Sequence, residues 1–173
     1  MFNPLLLLAC CLALVSAVQA GTALAKADGS SEDADILLFA GEKVYYHLAG
    51  DAKDASVRTL KMEELAPEGQ SAVLAWASSD TDHSAVTKAD QPPEPIHTVG
   101  PDTKGLSGIK GVVSIGLVID SKGNVARAFI AKSTDERLNA ASLAAVNQWK
   151  FRPGKNGGDP VNVIVFVPMQ YKS

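Results

Sequence analysis

The chain has 173 residues, a formal net charge of −3 and 46% hydrophobic residues, enough for one ordinary domain or one small domain with an accessory segment. Its 2 cysteines, Cys10 and Cys11, sit in an apolar N-terminal stretch, so the rest of the sequence has no thiol for a disulfide, a cysteine-ligated zinc or a cysteine nucleophile. Charge is split, with 13 acidic and 5 basic residues from Asp28 to Asp90 against 6 acidic and 10 basic from Gln91 to Ser173; the basic residues are spread singly, without a block or an aromatic stacking platform, which excludes nucleic acid as a partner.

Leu5 to Val18 is almost continuously apolar and ends in Ala17-Val18-Gln19-Ala20, with small or β-branched residues where signal peptidase reads them. Residues 1–20 are read as a secretory signal cleaved after Ala20. Met1-Phe2-Asn3-Pro4 lacks Lys and Arg, and two alternatives stand beside that reading. One is an uncleaved anchor, because Leu5 to Ala25 at about 1.5 Å per residue just spans an apolar layer of about 30 Å. The other is lipid attachment at Cys10 after Leu7-Leu8-Ala9, which would leave an export signal too short for a normal apolar region.

Gly21 to Asp35, rich in Ala, Ser, Gly and acids, reads as a flexible leader. Residues 36–90 form an acidic accessory segment with short strands. Ile36-Leu37-Leu38-Phe39 and Val44-Tyr45-Tyr46-His47-Leu48 give a hairpin signal across Ala40-Gly41-Glu42-Lys43, and Val57 to Met62 and Ala72 to Ala77 are further short runs. Residues 91–110 read as a Pro/Gly linker opening on Gln91-Pro92-Pro93-Glu94-Pro95, where proline fixes φ and removes amide donors. The opposite charges of the two halves imply that the acidic segment packs weakly on the basic one.

From Gly111 the pattern sharpens. Val113, Ile115, Leu117 and Ile119 alternate as in a strand with one buried face, and Asp120-Ser121-Lys122-Gly123-Asn124 supplies a tight hairpin turn into a second strand, Val125 to Lys132. Ser133-Thr134-Asp135-Glu136 matches a capping box, after which Leu138, Ala141, Ala145, Val146 and Trp149 fall on one helical face. Pro153 ends that element, and Val161, Val163, Val165 and Val167 alternate in a last strand closed by Pro168. The predicted fold class is α+β: a small antiparallel three-stranded sheet with one packed helix, in the order β-β-α-β over residues 111–173.

Candidate chemistry is sparse. Glu63-Glu64 point apart in helix or strand and have no third group in view. His83 with Asp80 and Asp82 lies in a polar stretch, and His47 and His97 have no recognisable catalytic context. The expectation is a protein that is not an enzyme and takes no cofactor, metal or small-molecule substrate.

The C-terminal pattern resembles the TonB C-terminal domain. The resemblance runs through Gly111-Val112-Val113, the strand to Ile119-Asp120, Gly123-Asn124-Val125, Ser133, Leu138-Asn139-Ala140-Ala141 with Ala145-Val146, and Trp149-Lys150-Phe151-Arg152-Pro153; Gly111, Gly123, Ser133, Leu138, Ala141, Trp149, Phe151 and Pro153 are its signature. It implies a protein of the Gram-negative envelope whose last strand binds a periplasmic segment of an outer-membrane transporter by strand addition. Asn162, Ile164, Phe166 and Met169 would carry that contact. It departs from the energy-transducing members in three ways: Met1 to Ala25 holds no His to engage a motor, the long Pro-rich spacer is missing, and Ile96 to Ser107, with Gly100, Pro101 and Gly105, is unsuited to a regular helix. The expected function is a periplasmic binding module, with a membrane-anchored energy transducer as the alternative.

Overall fold

The computed structural model describes residues 21–172; the signal or anchor expected over residues 1–20 lies outside the described residues. The N-terminal half builds β1 (Thr22–Ala25), β2 (Ser31–Ala40), β3 (Lys43–Leu48) and β4 (Arg58–Lys61), then the helix α1 (Pro67–Ala77) and the short β5 (Ser84–Ala85). The first four strands form an antiparallel sheet in chain order, and β5 lies parallel to the end of β2, pairing Phe39 with Ser84 and Ala40 with Ala85. The expected hairpin between Ile36 and Leu48 is present as β2 and β3.

Two sequence expectations are corrected here. The flexible leader over residues 21–35 is instead β1 and the start of β2, with Leu24 and Ala34 completely buried. Acidic residues flank Ala34 as the outward positions of an alternating strand, so their charge marks a solvated face rather than disorder. Ala72 to Ala77 is helical, not extended. Pro67 occupies the first turn, where its missing N–H costs nothing, and the Ala-rich run that follows favours helix. Gly69 lets α1 lie flat on β1, since a Cβ there would come within 2.4 Å of the Ala25 carbonyl oxygen.

The C-terminal half contains β6 (Glu94–His97), β7 (Gly111–Ile119), β8 (Val125–Ser133), the helix α2 (Asn139–Val146), β9 (Lys150–Arg152), the small pair β10 (Lys155–Asn156) and β11 (Asp159–Pro160), and β12 (Val163–Tyr171). Its main sheet is antiparallel in the order β12-β7-β8, the expected α+β arrangement. The helix start differs from the predicted capping box: Asp135, not Ser133, accepts the Arg137 amide at 3.0 Å and caps a single 3-10 turn before α2. Ala141 is only half-buried, and the inner face is completed by Asn139 and Ser142, both buried. Ser142 bonds the Leu138 carbonyl and the Tyr171 hydroxyl, and Asn139 Nδ2 donates to the Asp54 carbonyl at 2.8 Å, while Asn139 Oδ1 is buried without a partner among the described residues. The last strand also runs past Pro168 to Tyr171. A proline is tolerated there because β12 is an edge strand and the missing N–H faces outward.

Residues 91–110 are no free linker. β6 pairs with β9, Glu94 meets Arg152 in an ion pair, Trp149 Nε1 donates to the Val99 carbonyl at 2.7 Å, and Leu106 and Ile109 pack on the domain core. Ile96 to Ser107 forms no helix, as its glycines and proline imply.

A bulge in β2 between Ile36 and Leu38 decides how the halves meet, because one extra residue reverses which side chains face which way. Before it, Ala34 and Ile36 join Val44, Tyr46, Leu65 and Val73 under α1. After it, Leu38 and Ala40 turn to the opposite face beside Tyr45, where they pack against Val118, Phe129 and Ile164 of the C-terminal sheet. The other face of that sheet, with Val113, Ile115, Leu117, Met169 and Tyr171, is covered by Leu138, Ala145 and Val146. The result is four layers: α1, the N-terminal sheet, the C-terminal sheet and α2. The contact between halves is thus an apolar core rather than the weak charge-driven packing that the sequence implied.

At the outer rim of the N-terminal sheet, Glu32 accepts from Lys26 Nζ at 2.6 Å and from the Tyr46 hydroxyl at 2.8 Å. The Lys26 bond, and then the Tyr46 bond, hold the Glu32 carboxyl below its ordinary pKa, while burial and the same carboxylate push the Tyr46 hydroxyl up to about 12. A depressed carboxyl stabilises the fold above its unfolded pKa, and that contribution is lost as pH falls through the folded value. Glu32→Gln is therefore expected to cost about 1 kcal/mol near pH 7. The difference from wild type should narrow as pH falls below the ordinary carboxylate range and close once the carboxyl protonates in the folded protein; urea titrations at pH 7 and at a series of acidic pH values measure the change.

Candidate functional site

The last strand presents an edge. β12 pairs only with β7 among the named strands, from Val163 opposite Ile119 to Tyr171 opposite Gly111, without a break in register. Successive residues of a strand aim their N–H and C=O groups to opposite sides. The Ile164 amide points away from β7, since it donates to the Val86 carbonyl at 3.0 Å. Phe166, Pro168 and Gln170 share that orientation. Their outward backbone groups have no backbone partner among the described residues. Among the described residues the Phe166 and Gln170 N–H groups are open donors, the Phe166, Pro168 and Gln170 carbonyls are open acceptors, and Pro168 offers no donor.

The four residues expected to bind a partner therefore separate. Phe166 is 48% exposed and leans on Tyr45 and Phe129, with ring centroids 6.1 and 6.4 Å away. Ile164 is buried in the core between the sheets, and its amide is taken by Val86. Met169 is buried under α2. Asn162 is bound within the protein: its carbonyl accepts the Val86 amide at 2.9 Å, and its side-chain oxygen accepts the Ser121 amide at 3.1 Å. The exposed edge is thus shorter than the sequence suggested and runs from Phe166 to Gln170. The opposite edge, on β8, is partly covered where the Val57 amide donates to the Ile130 carbonyl at 2.8 Å.

The signature residues lie away from this edge and hold the domain together. Gly123 has φ +85°, and its carbonyl accepts the Phe151 amide at 2.8 Å, so the hairpin turn and the Trp149-to-Pro153 motif are pinned to each other. Asp120 closes the same turn by accepting the amides of Lys122 and Asn124 at 2.9 and 2.8 Å. Burial alone would raise the Asp120 pKa, but the bonds from Asn124 and Lys122 outweigh it and hold the carboxyl below its ordinary value. Gly111 leaves room for Thr134, whose hydroxyl oxygen would lie 2.6 Å from a Cβ there.

The candidate metal residues are occupied otherwise. His83 stacks on Trp76 with centroids 3.9 Å apart, and its Nδ1 lies 2.8 Å from the Trp76 carbonyl. His47 is buried against the Ala55 carbonyl. No group of three or more His, Cys, Asp or Glu residues among the described residues could hold a metal, and no helix among them is long and apolar enough to cross a membrane. Sequence reasoning named Val57 only as the start of a short run and did not single out Val86, yet these two residues cover parts of the two sheet edges. Val86 is a single β-branched residue in a polar stretch and carries no periodic signal, and nothing in the Val57 run shows that it crosses to β8.

A three-stranded sheet with one helix and an accessible terminal edge defines a small α+β module that presents a strand. Residues 101–173 match the family described as Gram-negative bacterial TonB protein C-terminal, and this segment is a TonB C-terminal domain. One relative is Protein TonB of Vibrio cholerae serotype O1, 33% identical over 66 residues. The match takes in 38% of this chain and 27% of that protein, so the chain spans about a quarter of its relative's length. The matched family is one of non-enzymatic energy transducers, which agrees, for residues 101–173, with the expectation of no enzyme.

Proposed function

We propose that the protein is a TonB-like binding module of the Gram-negative cell envelope. It takes up an extended segment of an envelope protein, in the first instance a periplasmic segment of an outer-membrane transporter, by strand addition to β12. The observation that carries this reading is the stretch from Phe166 to Gln170 that no strand among the described residues pairs on its outer side, flanked by the exposed Phe166 ring. Backbone groups at an open edge recruit an extended chain irrespective of most of its side chains, and an adjacent aromatic surface adds apolar contact. In this reading residues 1–20 deliver the module to the periplasm and are removed. The alternative, an anchored energy transducer, requires that they stay, and N-terminal sequencing of the exported protein separates the two, since a start at Gly21 contradicts the anchor.

The edge is tested by Phe166→Pro. The substitution removes one outward donor and the exposed ring, while the ladder to β7 survives, as it does at Pro168. Unfolding is expected to shift by no more than about 1 kcal/mol, and capture of synthetic peptides copying periplasmic segments of outer-membrane transporters should fall at least tenfold. Unchanged capture by a folded variant would remove the edge as the binding surface.

A further inference from the structure

We infer that residues 84–86 are a built-in plug of the β12 edge, a piece of the chain's own backbone seated where part of an incoming strand would lie. The inference rests on the strand-addition reading above and concerns its regulation.

Val86 sits parallel to β12 opposite Val163, donating to the Asn162 carbonyl at 2.9 Å and accepting from the Ile164 amide at 3.0 Å. Those are the next outward groups along the same edge as Phe166 and Gln170. With Val86 in place, the free part of the edge has Pro168 at its centre and offers donors only at Phe166 and Gln170. With Val86 gone, the Ile164 donor and the Asn162 acceptor are added, and an incoming strand can pair continuously from Asn162 to Phe166 before it meets the proline. The plug therefore covers the better half of the edge.

Its attachment is slight. On the far side the segment is held by the two-residue pairing of Ser84 and Ala85 with the end of β2, and Ala85 packs at the rim of the core shared by the two sheets. Ser84, Ala85 and Val86 are each partly exposed, and Thr87 and Lys88 beyond them are exposed. An open cleft of about 470 Å³ runs beside the segment, lined by Phe39, Gly41, Ser121 and Val161 as well as by the segment itself. The cleft leaves one side of the segment open to solvent, and local opening there costs the rim contact of Ala85 but leaves the buried residues of the core in place. An intramolecular copy competes with an outside strand through its high effective concentration, so the plug sets a threshold that only a well-matched strand exceeds.

Hydrogen exchange on the intact protein tests the first half of this. The Ile164 amide, facing Val86, is expected to exchange at least 100-fold faster than the Val165 amide, which faces β7; equal protection would overturn the plug. The second half uses Val86→Pro, which removes the donor to Asn162, with a synthetic peptide copying residues 82–89 as the probe and the Ile164 and Phe166 amide shifts as the readout. The variant should half-saturate at a peptide concentration at least tenfold below wild type. Equal binding by both proteins would overturn the plug while leaving edge binding intact. Binding by neither would overturn edge binding and the plug together.

Discussion

Gly123→Ala is expected to cost at least about 3 kcal/mol, a large share of the roughly 5–15 kcal/mol that holds a typical domain folded. Two independent penalties meet at this residue. Its φ of +85° lies in the region that side chains with a Cβ rarely occupy. A Cβ would also lie 1.9 Å from the Phe151 carbonyl oxygen, and that oxygen belongs to backbone, so it cannot swing aside as a side chain would. Relief requires β9 to move off the turn. The move breaks the Phe151-to-Gly123 hydrogen bond, and β9 is also the partner of β6, so the damage spreads to the segment leading into the domain. Thermal unfolding measures the loss, and a shift below about 1 kcal/mol would show that the turn and the motif are not in contact in solution.

The second large effect is expected at Phe129, which is 1% exposed and packs against Tyr45 with ring centroids 5.5 Å apart. Its ring lies over Gly116, where a Cβ would come within 2.4 Å of it. Removing a buried aromatic side chain leaves a cavity and typically costs about 3–5 kcal/mol. The physical interest lies in where the loss is felt. Phe129 is in the C-terminal sheet, while Tyr45, Leu38 and Ala40 are in the N-terminal one. If the sheets share this core, Phe129→Ala weakens both halves at once. The protein has 2 tryptophans, and each reports one half: Trp76 ends α1, and Trp149 packs on the core under α2. In urea the two single-tryptophan forms should give coincident transitions, and Phe129→Ala should move both by the same amount. A shift seen by Trp149 alone would mean that the halves are separate domains resting against each other.

How much of this the sequence disclosed depends on the half. The residues from Gly111 onward carry strict alternation, a hairpin turn with its glycine in place and a signature motif, and each of these acts locally. The three strands of the main sheet, the helix and their order followed from them, but the helix ends at Val146 and not at Pro153, because Lys150–Arg152 leaves it to pair with β6 as the strand β9. The N-terminal half hid its structure for two reasons. Ala34 is a poor marker of a buried strand position, and its acidic neighbours resemble those of a disordered leader; the bulge after Ile36 broke the alternation that would have extended the predicted hairpin strand back to Ser31. The helix over Pro67–Ala77 contains Gly69, which lowers its intrinsic propensity but is required for its close approach to Ala25. At the binding edge the sequence located the right strand but not its free part, because which outward groups remain open depends on Val86, distant in sequence, crossing over the first of them.

The central claim is that the β12 edge between Phe166 and Gln170 receives an extended partner segment. The most direct measurement is a map of backbone amide shifts in residues 21–173 on titration with a synthetic peptide copying a periplasmic segment of an outer-membrane transporter. The account predicts the largest changes at the Phe166 and Gln170 amides, with Ile164 following as Val86 is displaced and Val165 and Val167 little affected. Shifts centred on Val57 and Ile130, at the opposite edge of the sheet, would contradict it.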